Sequence, residues 1–430
     1  MKKYWKLIAL IIFSGISIST FYLVTASAEN SYPQYTIETR SGDKAVIKDL
    51  VLSVDTYNEY GGDYYWNSIL IDAEGTIGSK DVPFTEQLDM AYQNDFFTQK
   101  IYREHRGFFR SKNWDIAQYY EDKDALIYAT SYSSNNEDYE AKHDNLQVAV
   151  LDKKTDQETT FEVEVPEYEN YDSFYVENVQ RSGNILHVFT TNYIEGKTEL
   201  YQPITELHVY RIDLDNQKIA KDQIILPTDA RETEYSAYIV NKETTQSEMV
   251  PEPYVVIAMT PTVQPETIEL EEEVNLEDVT MMAYHVETSE LTELNIPNEF
   301  KAWSTVYSPT VTNVTDEYIY YTKVKENGFE MTRFNIEENT MEENQLVELP
   351  SEVMKNFLTN PDGYATPLVS IKDNQVYYVS TLKDKEGHDV GIVVADLETG
   401  QILYDGTVKN SEKMNDAFKD VSLMVNSFTF

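Results

Sequence analysis

The chain has 430 residues, of which 75 are acidic and 34 are basic, and its formal net charge is −41. Nucleic-acid phosphates would repel so acidic a chain, and the absence of cysteine excludes disulfides, thiolate metal sites and cysteine catalysis. Apolar residues make up 41% of the sequence and aromatic residues 13%, which supports large buried cores and excludes a globally disordered chain.

The first 28 residues carry the pattern of an export signal. Three lysines within the first six residues precede an apolar run over residues 7–24, and a small-residue triplet, Ala26 to Ala28, follows it. The run also approaches the ~17–25 residues that span a bilayer, so we expect either a signal peptide over residues 1–28 or a retained single-span anchor. Because the basic end comes first, residues 29–430 are expected outside the cytoplasm in both cases, secreted or membrane-anchored.

After the leader, one pattern recurs six times: an apolar run, a short polar anchor residue, a polar turn and a second strand-like run. The clearest copy, Ile392 to Gly406, reads IVVADLETGQILYDG. A polar side chain at a strand end can accept hydrogen bonds from the following turn, so each copy predicts an antiparallel hairpin with its anchor as the turn cap. The six anchors are Asp72, Asp152, Asp213, His285, Asn335 and Asp396.

Further strand-like runs rich in Tyr, Val, Ile and Thr lie upstream of the hairpins, such as Ala125 to Thr130 and Val376 to Ser380. Each unit therefore holds about four strands in about 65 residues. The repeats resemble the broad β-propeller superfamily, most clearly where Ile392 to Gly400 matches its apolar-apolar-x-Asp-apolar-x-x-Gly pattern. The resemblance implies an all-β fold, a single propeller domain over residues 29–430 with about six four-stranded blades, seven being the alternative, and identifies no functional family.

Two or three successive β-sandwich domains are the competing architecture. A sandwich domain needs about 100 residues, which exceeds the repeat, and no Pro/Gly/Ser-rich linker separates the units. The propeller is therefore favoured. The last segment, Val421 to Phe430, is apolar and strand-like, and we expect it to pair with strands within residues 33–80, which would cover an exposed sheet edge.

An insertion over residues 84–113 departs from strand-like alternation and is expected to form a helix or an irregular loop. Basic and aromatic residues alternate in and just after its second half, in a chain otherwise short of positive charge. Such residues can bind an anionic group, a sugar face or a partner surface by bidentate hydrogen bonding and stacking. The candidate binding residues are Arg103, Arg106, Phe108, Phe109, Arg110 and Trp114. The alternative, which we favour, is that the bases neutralise the chain's own carboxylates while the aromatic rings pack against a blade.

A second insertion, residues 261–280, carries seven acidic residues and no basic residue between Glu266 and Asp278. Because contiguous acids repel one another, we expect a solvated acidic loop rather than an ordered cation site. An interaction between this loop and the basic insertion is a further hypothesis.

The sequence carries no phosphate loop, dinucleotide fingerprint, nucleophile elbow or metalloprotease motif. The six histidines are scattered singly, without metal-ligand spacing. No cofactor is expected, and calcium is the one ion left open, although Asp213 to Asn216 lacks the required glycine and Asp384 to Asp389 has too few ligands. With 75 acids, catalytic carboxylate pairs for glycoside hydrolysis cannot be selected without distances.

These patterns favour a non-enzymatic, extracytoplasmic β-propeller that binds a membrane protein or a cell-envelope ligand. The alternative is a propeller-fold hydrolase or lyase that acts on an envelope carbohydrate, with a site assembled in the central channel from several blades. We expect a monomer that contacts the membrane only through its N-terminal segment and binds no nucleic acid.

Overall fold

A computed structural model describes most of the strand-forming sequence. The described residues are 6, 10, 12–20, 34–57, 67–77, 101–102, 104–113, 115–132, 144–196, 204–225, 235–240, 249–261, 279–301, 310–325, 328–342, 345–348, 368–383, 388–411 and 422–430. They belong to two compact units, one containing both ends of the chain (residues 1–99 and 349–430) and the other residues 100–348. The single domain over residues 29–430 remains a prediction.

Short strands dominate the described chain, as its content of Tyr, Val, Ile and Thr predicts. The first twelve are β1 (Tyr35–Gly42), β2 (Val51–Tyr57), β3 (Asn67–Asp72), β4 (Gly75–Ile77), β5 (Tyr119–Glu121), β6 (Ala125–Tyr132), β7 (Asn145–Asp152), β8 (Gln157–Glu164), β9 (Tyr171–Ser182), β10 (Ile185–Ile194), β11 (Thr205–Asp213) and β12 (Lys218–Ile225). The remaining strands are β13 (Tyr235–Ile239), β14 (Tyr254–Pro261), β15 (Thr280–His285), β16 (Glu290–Glu293), β17 (Thr310–Val314), β18 (Tyr318–Lys325), β19 (Gly328–Asn335), β20 (Thr340–Met341), β21 (Gln345–Glu348), β22 (Leu368–Lys372), β23 (Gln375–Lys383), β24 (His388–Asp396), β25 (Ile402–Asn410) and β26 (Ser422–Thr429).

Helical turns between the strands are short. They are Lys44–Ile47, Ile116–Gln118, Tyr168–Asn170 and Asn298–Phe300 as 3-10 helices and Arg106–Phe109 as an α-helix. Residues 12–20 are also helical and exposed. Within the part of the chain that the structure describes, no helix is both long and apolar enough to cross a membrane. Most of the leader lies outside the described residues, and its cleavage and the extracytoplasmic location stay predictions.

The strands form six antiparallel sheets, numbered here in chain order by their hairpins. Sheets 2 to 5, in residues 100–348, contain β5–β8, β9–β12, β13–β16 and β17–β21, respectively. In the other unit, sheet 1 has the order β26-β2-β3-β4 and sheet 6 the order β1-β25-β24-β23-β22. Sequential strands are therefore neighbours in space, apart from the two terminal strands, β1 and β26, and the short β21.

Within each unit, neighbouring sheets pack face to face, and β10 illustrates the consequence. Val188 lies in one core with Ile127 of sheet 2, whereas the adjacent Phe189 lies in another core with Tyr284 of sheet 4. Because both faces of such a strand are buried, apolar residues such as Val188 and Phe189 follow one another in its sequence instead of alternating strictly with polar residues. Sheets 4 and 5 share a third core, and sheets 1 and 6 share the core of the other unit.

Four-stranded antiparallel sheets that follow one another in chain order are the blades of a β-propeller. The all-β propeller fold class predicted from the repeats is therefore confirmed, with six blade sheets among the described residues.

The predicted hairpin anchors cap the turn between the third and fourth strands of every sheet. Asp213 Oδ1 accepts hydrogen bonds from the backbone N–H groups of Asp215 and Asn216, both at 3.0 Å. His285 takes the same role with an imidazole, since its Nδ1 accepts from the Thr288 N–H at 3.1 Å. The other anchors accept from N–H groups two or three residues further on: Asp72, Asp152, Asn335 and Asp396. The turn-cap prediction is confirmed at all six positions.

The terminal strands each join a sheet formed mainly by the opposite end of the chain. Strand β26 lies antiparallel to β2, with Thr429 opposite Val51 and Leu423 opposite Thr56. Strand β1 pairs with β25 in the same manner. The predicted pairing of the C-terminal segment with residues 33–80 is therefore confirmed.

Candidate functional site

The structure describes four of the six candidate binding residues; Arg103 and Trp114 lie outside the described residues. Phe108 and Phe109 end the short helix Arg106–Phe109 and are buried, with 3% and 2% of their surface exposed. Arg106 and Arg110 are exposed. A ligand cannot stack on the two buried rings, so these two phenylalanines have a packing role, and binding at the arginines stays a prediction.

One base of this segment neutralises a carboxylate of the chain itself. Lys112 Nζ lies 2.8 Å from Glu158 Oε1 and 4.0 Å from the centroid of the Phe108 ring. Phe109 in turn packs on the ring of Tyr119, with the centroids 5.1 Å apart. At Lys112, Phe108 and Phe109 the structure therefore agrees with the alternative interpretation, in which the bases neutralise the chain's own carboxylates and the aromatic rings pack against a blade. Residues 262–278 lie outside the described residues, so the proposed contact with the acidic loop stays a hypothesis.

A different group of side chains, which the sequence does not single out, stands on one face of sheet 3. Tyr175 of β9 pairs in register with Thr191 of β10, and Tyr193 follows two residues later on the same face. Phe189, two residues before Thr191, packs against Tyr284 of sheet 4, so this face turns toward sheet 4. Aromatic and polar residues thus occupy one end of this face, beyond the apolar residues Phe189 and Val209 that pack toward sheet 4.

A β-bulge brings a carboxylate into this group. In the pairing of β9 with β10, Val176 is opposite Thr190 and Asn178 is opposite Phe189, so Glu177 has no partner residue. Bulges re-aim side chains and are frequent beside functional sites. The Glu177 carboxylate accepts a hydrogen bond from the side chain of Thr191, the residue paired with Tyr175.

The tyrosine rings of this group form an open corner. The rings of Tyr175 and Tyr193 have their centroids 5.8 Å apart and are nearly perpendicular, at 89°. The exposed fraction of Tyr175 is 49%. The exposed fraction of Tyr238, on the first strand of sheet 4, is 53%. We call Tyr175, Glu177, Thr191, Tyr193 and Tyr238 the Tyr175 site.

The electrostatics of the Tyr175 site are uniformly negative. Burial raises the pKa of Glu177. The hydrogen bond from Thr191 lowers this pKa and the Asp115 carboxylate raises it, and the net shift is upward. Burial also raises the pKa of Tyr193, with additional contributions from Glu177, Tyr175 and Tyr238. Among the described residues, no cationic side chain contributes to either shift. Aromatic faces beside an uncompensated carboxyl group can bind a cation or the apolar face of a sugar.

A polar network lies on the opposite face of sheet 3. The buried imidazole of His208 stacks on Tyr210, places Nδ1 2.8 Å from Asp222 Oδ1, and places Nε2 3.3 Å from Glu206 Oε2. The hydroxyl of Tyr171 donates to the same Glu206 oxygen at 2.8 Å and lies 3.0 Å from His208 Nε2. Burial lowers the pKa of His208, but the hydrogen bonds to the two carboxylates outweigh it and the pKa is raised.

The His208 network is structural rather than catalytic, because both ring nitrogens are occupied and the side chain is only 2% exposed. No group of three or more residues in the described part of the chain could hold a metal ion. Of the two segments weighed for calcium, Asp213 to Asn216 forms a turn cap, and 384–387 lies outside the described residues.

No family model matches the chain, and no curated protein matches it either. Among solved structures, the uncharacterized protein lmo1340 from Listeria monocytogenes EGD-e is 7% identical with a TM-score of 0.33, over 68% of this chain and 66% of that one. A prolyl endopeptidase is 12% identical with a TM-score of 0.37, over 89% and 42%. The β-propeller domain of the Trilobed protease from Pyrococcus furiosus is 9% identical with a TM-score of 0.29, over 87% and 84%.

The chain therefore spans slightly less than two thirds of the Listeria protein and less than half of the prolyl endopeptidase. At these identities and TM-scores the likeness carries no argument about activity or ligand.

Proposed function

We propose that the chain is a non-enzymatic β-propeller that acts outside the cytoplasm and binds a ligand or a membrane protein of the cell envelope. The observation that carries this proposal is the Tyr175 site, where the half-exposed Tyr175 meets the ring of Tyr193 and the carboxyl group of Glu177 acts electrostatically on Tyr193. Large aromatic side chains are enriched where proteins bind partners, because they bury much apolar area and keep a hydroxyl for hydrogen bonding.

The buried histidines support a binding function over a catalytic one. His187 Nδ1 lies 3.0 Å from the Tyr284 hydroxyl, and burial together with Arg211 lowers the pKa of His187 to about 4. His208 is enclosed by its two carboxylates. Neither imidazole reaches the surface, so neither can exchange a proton with a bound substrate.

The binding proposal is tested by sedimenting the purified, exported protein with isolated cell envelopes. We expect the wild type to co-sediment and the double variant Tyr175→Ala/Tyr238→Ala to stay in the supernatant. Ile224→Ala is the matched control, because Ile224 is an exposed apolar residue on the other face of sheet 3. Equal sedimentation of the wild type and the double variant would overturn the role of the Tyr175 site.

One observation favours a second function, the hydrolysis or elimination of an envelope carbohydrate. Glu177 has a raised pKa and is influenced by the nearby Asp115, and glycosidases use such a pair as a protonated acid and an ionised carboxylate. The release of reducing or unsaturated sugar ends from envelope polysaccharide by the wild type, and its loss in Glu177→Gln, would establish the enzyme in place of the binder.

A further inference from the structure

We propose that the Tyr175 site binds a substituted ammonium group, such as the trimethylammonium of choline, in the corner between the Tyr175 and Tyr193 rings. This inference rests on the proposed binding function, since it names the ligand class of the same site.

The ring geometry provides two walls for such a cation. In a perpendicular pair the edge of one ring meets the face of the other. One face of the Tyr175 ring and one face of the Tyr193 ring therefore enclose a right-angled corner. A cation is attracted when it lies within about 6 Å of a ring centroid. With the centroids 5.8 Å apart, one ammonium group can satisfy this condition for both rings at once. The half exposure of Tyr175 leaves the corner open to solvent.

The carboxyl group supplies the complementary charge. Glu177 is fixed on this face by its bulge and by the Thr191 side chain, and it acts electrostatically on Tyr193. Asp115 adds a second negative charge within electrostatic reach of Glu177. A bound cation would reduce the repulsion between these carboxylates. Glu177 would therefore stabilise the bound cation in addition to the two rings.

Two basic residues described on this face of sheet 3, Arg211 and its β12 partner Lys221, lie away from the Tyr175 corner. Arg211 lies further along the face, opposite His187 in the β10–β11 pairing, and acts on His187 and Tyr284 rather than on Glu177. The net charge of −41 concentrates cations around the molecule.

The same features argue against other ligands. An anion would face carboxylates without a base, and a metal ion would need a set of converging ligands that the described residues do not provide. A neutral sugar could stack on the rings and donate hydroxyl hydrogen bonds to Glu177, but it would leave the negative charge of Glu177 without a counter-charge. A substituted ammonium group uses both the aromatic walls and the carboxylate.

The test titrates the full exported protein with choline and with its neutral isostere 3,3-dimethylbutanol, following binding by calorimetry. We expect saturable choline binding about tenfold tighter than that of the isostere, because the isostere lacks the positive charge that the two rings and Glu177 attract. Tyr175→Ala and Glu177→Gln should each weaken choline binding by about tenfold, whereas Tyr175→Phe and Ile224→Ala should retain it. The Phe variant keeps the ring, so its retention distinguishes recognition from loss of folding.

Vesicles identify the source of the ammonium group. Sedimentation with phosphatidylcholine vesicles but not with phosphatidylglycerol vesicles would assign it to a lipid headgroup, and binding of free choline alone would assign it to a soluble or polymer-borne choline. Equal affinity for choline and the neutral isostere, or unchanged choline affinity in Tyr175→Ala and Glu177→Gln, would overturn the ammonium site. If these variants nevertheless lose envelope binding, the proposed function survives while the ligand class is wrong.

Discussion

The imidazole Nδ1 of His208 lies 2.8 Å from the carboxylate of Asp222, and the pair is inside sheet 3 rather than on its surface. A second carboxylate at its other ring nitrogen also favours the protonated imidazole, and the pKa of His208 is raised. The network therefore couples the free energy of unfolding to pH.

The raised pKa of His208 predicts stability that is present at acidic pH and lost in alkali. The contribution is complete below the ordinary histidine pKa of 6.5 and disappears as the pH rises through the raised folded-state pKa. His208→Gln leaves Glu206 and Asp222 without their cation, and we expect it to lower the free energy of unfolding at pH 6 by about 2 kcal/mol. This is less than the ~3–5 kcal/mol of a fully buried pair, because both carboxylates retain some solvent contact. Urea unfolding at pH 6 and pH 9 measures the effect; an equal loss at both pH values would contradict it.

His187 predicts the opposite pH dependence. Burial and Arg211 lower its pKa to about 4, so its contribution is present above pH 6.5 and is lost as the pH falls toward 4. The shift corresponds to about 3 kcal/mol. His187→Leu should reduce the acid sensitivity of unfolding between pH 6.5 and pH 4, measured by thermal melts. A variant that remains as acid-sensitive as the wild type would show that other groups dominate this range.

The hydroxyl of Tyr284 is the expected partner of His187 and offers a matched variant. Tyr284→Phe keeps the ring that packs on Phe189 but removes the hydroxyl 3.0 Å from His187 Nδ1. An unpaired buried nitrogen costs about 1–3 kcal/mol, so we expect a loss in that range at pH 7.5, detected by urea unfolding. No change in stability would indicate that another group satisfies His187.

Phe428 of β26 tests the contribution of the C-terminal strand. Its side chain is 1% exposed and lies in the core shared by sheets 1 and 6. Phe428→Ala should lower the free energy of unfolding by about 3–5 kcal/mol, the usual cost for a large buried aromatic. Met424 of the same strand is 36% exposed, so Met424→Ala should change the free energy of unfolding far less. Equal effects of the two substitutions in chemical denaturation would contradict the packing of β26.

The basic segment gives a contrast between a paired and an exposed base. Lys112 packs on Phe108 and pairs with Glu158, whereas Arg110 is exposed. Lys112→Ala should cost about 1 kcal/mol in the free energy of unfolding, and Arg110→Ala less than about 0.5 kcal/mol. Melting temperatures of the two variants provide the measurement. A larger loss for Arg110→Ala would mean that its guanidinium has a structural partner.

Local patterns predicted much of the fold because the interactions behind them are local. Each hairpin anchor accepts hydrogen bonds from residues only two or three positions away, so a recurring Asp or Asn was sufficient to locate the turns, and even His285 was found at its equivalent position. The β26–β2 pairing was predictable for a different reason: an apolar terminal segment needs a partner strand.

The Tyr175 site could not be predicted in the same way. The chain has 33 tyrosines, and alternation does not distinguish Tyr175, which is half exposed, from Tyr210, which is buried. The position of Glu177 depends on a bulge, which is a property of the strand register. His208 looked isolated because two of its partners are distant in sequence, with Tyr171 on β9 and Asp222 on β12. Phe108 and Phe109 are buried, but the interleaving of aromatic and basic residues in the sequence did not show which aromatic side chains are buried and which are exposed.

The pairing of β26 with β2 also determines when this protein can finish folding. Residues 51–57 are synthesised early, yet residues 422–429 reach them only after the rest of the chain has been made. Until then one side of β2 presents unpaired N–H and C=O groups that another chain can occupy. A chain that stops short of residue 422 should therefore be removed by proteolysis or aggregate, and contacts between such distant segments should make the last folding step slow.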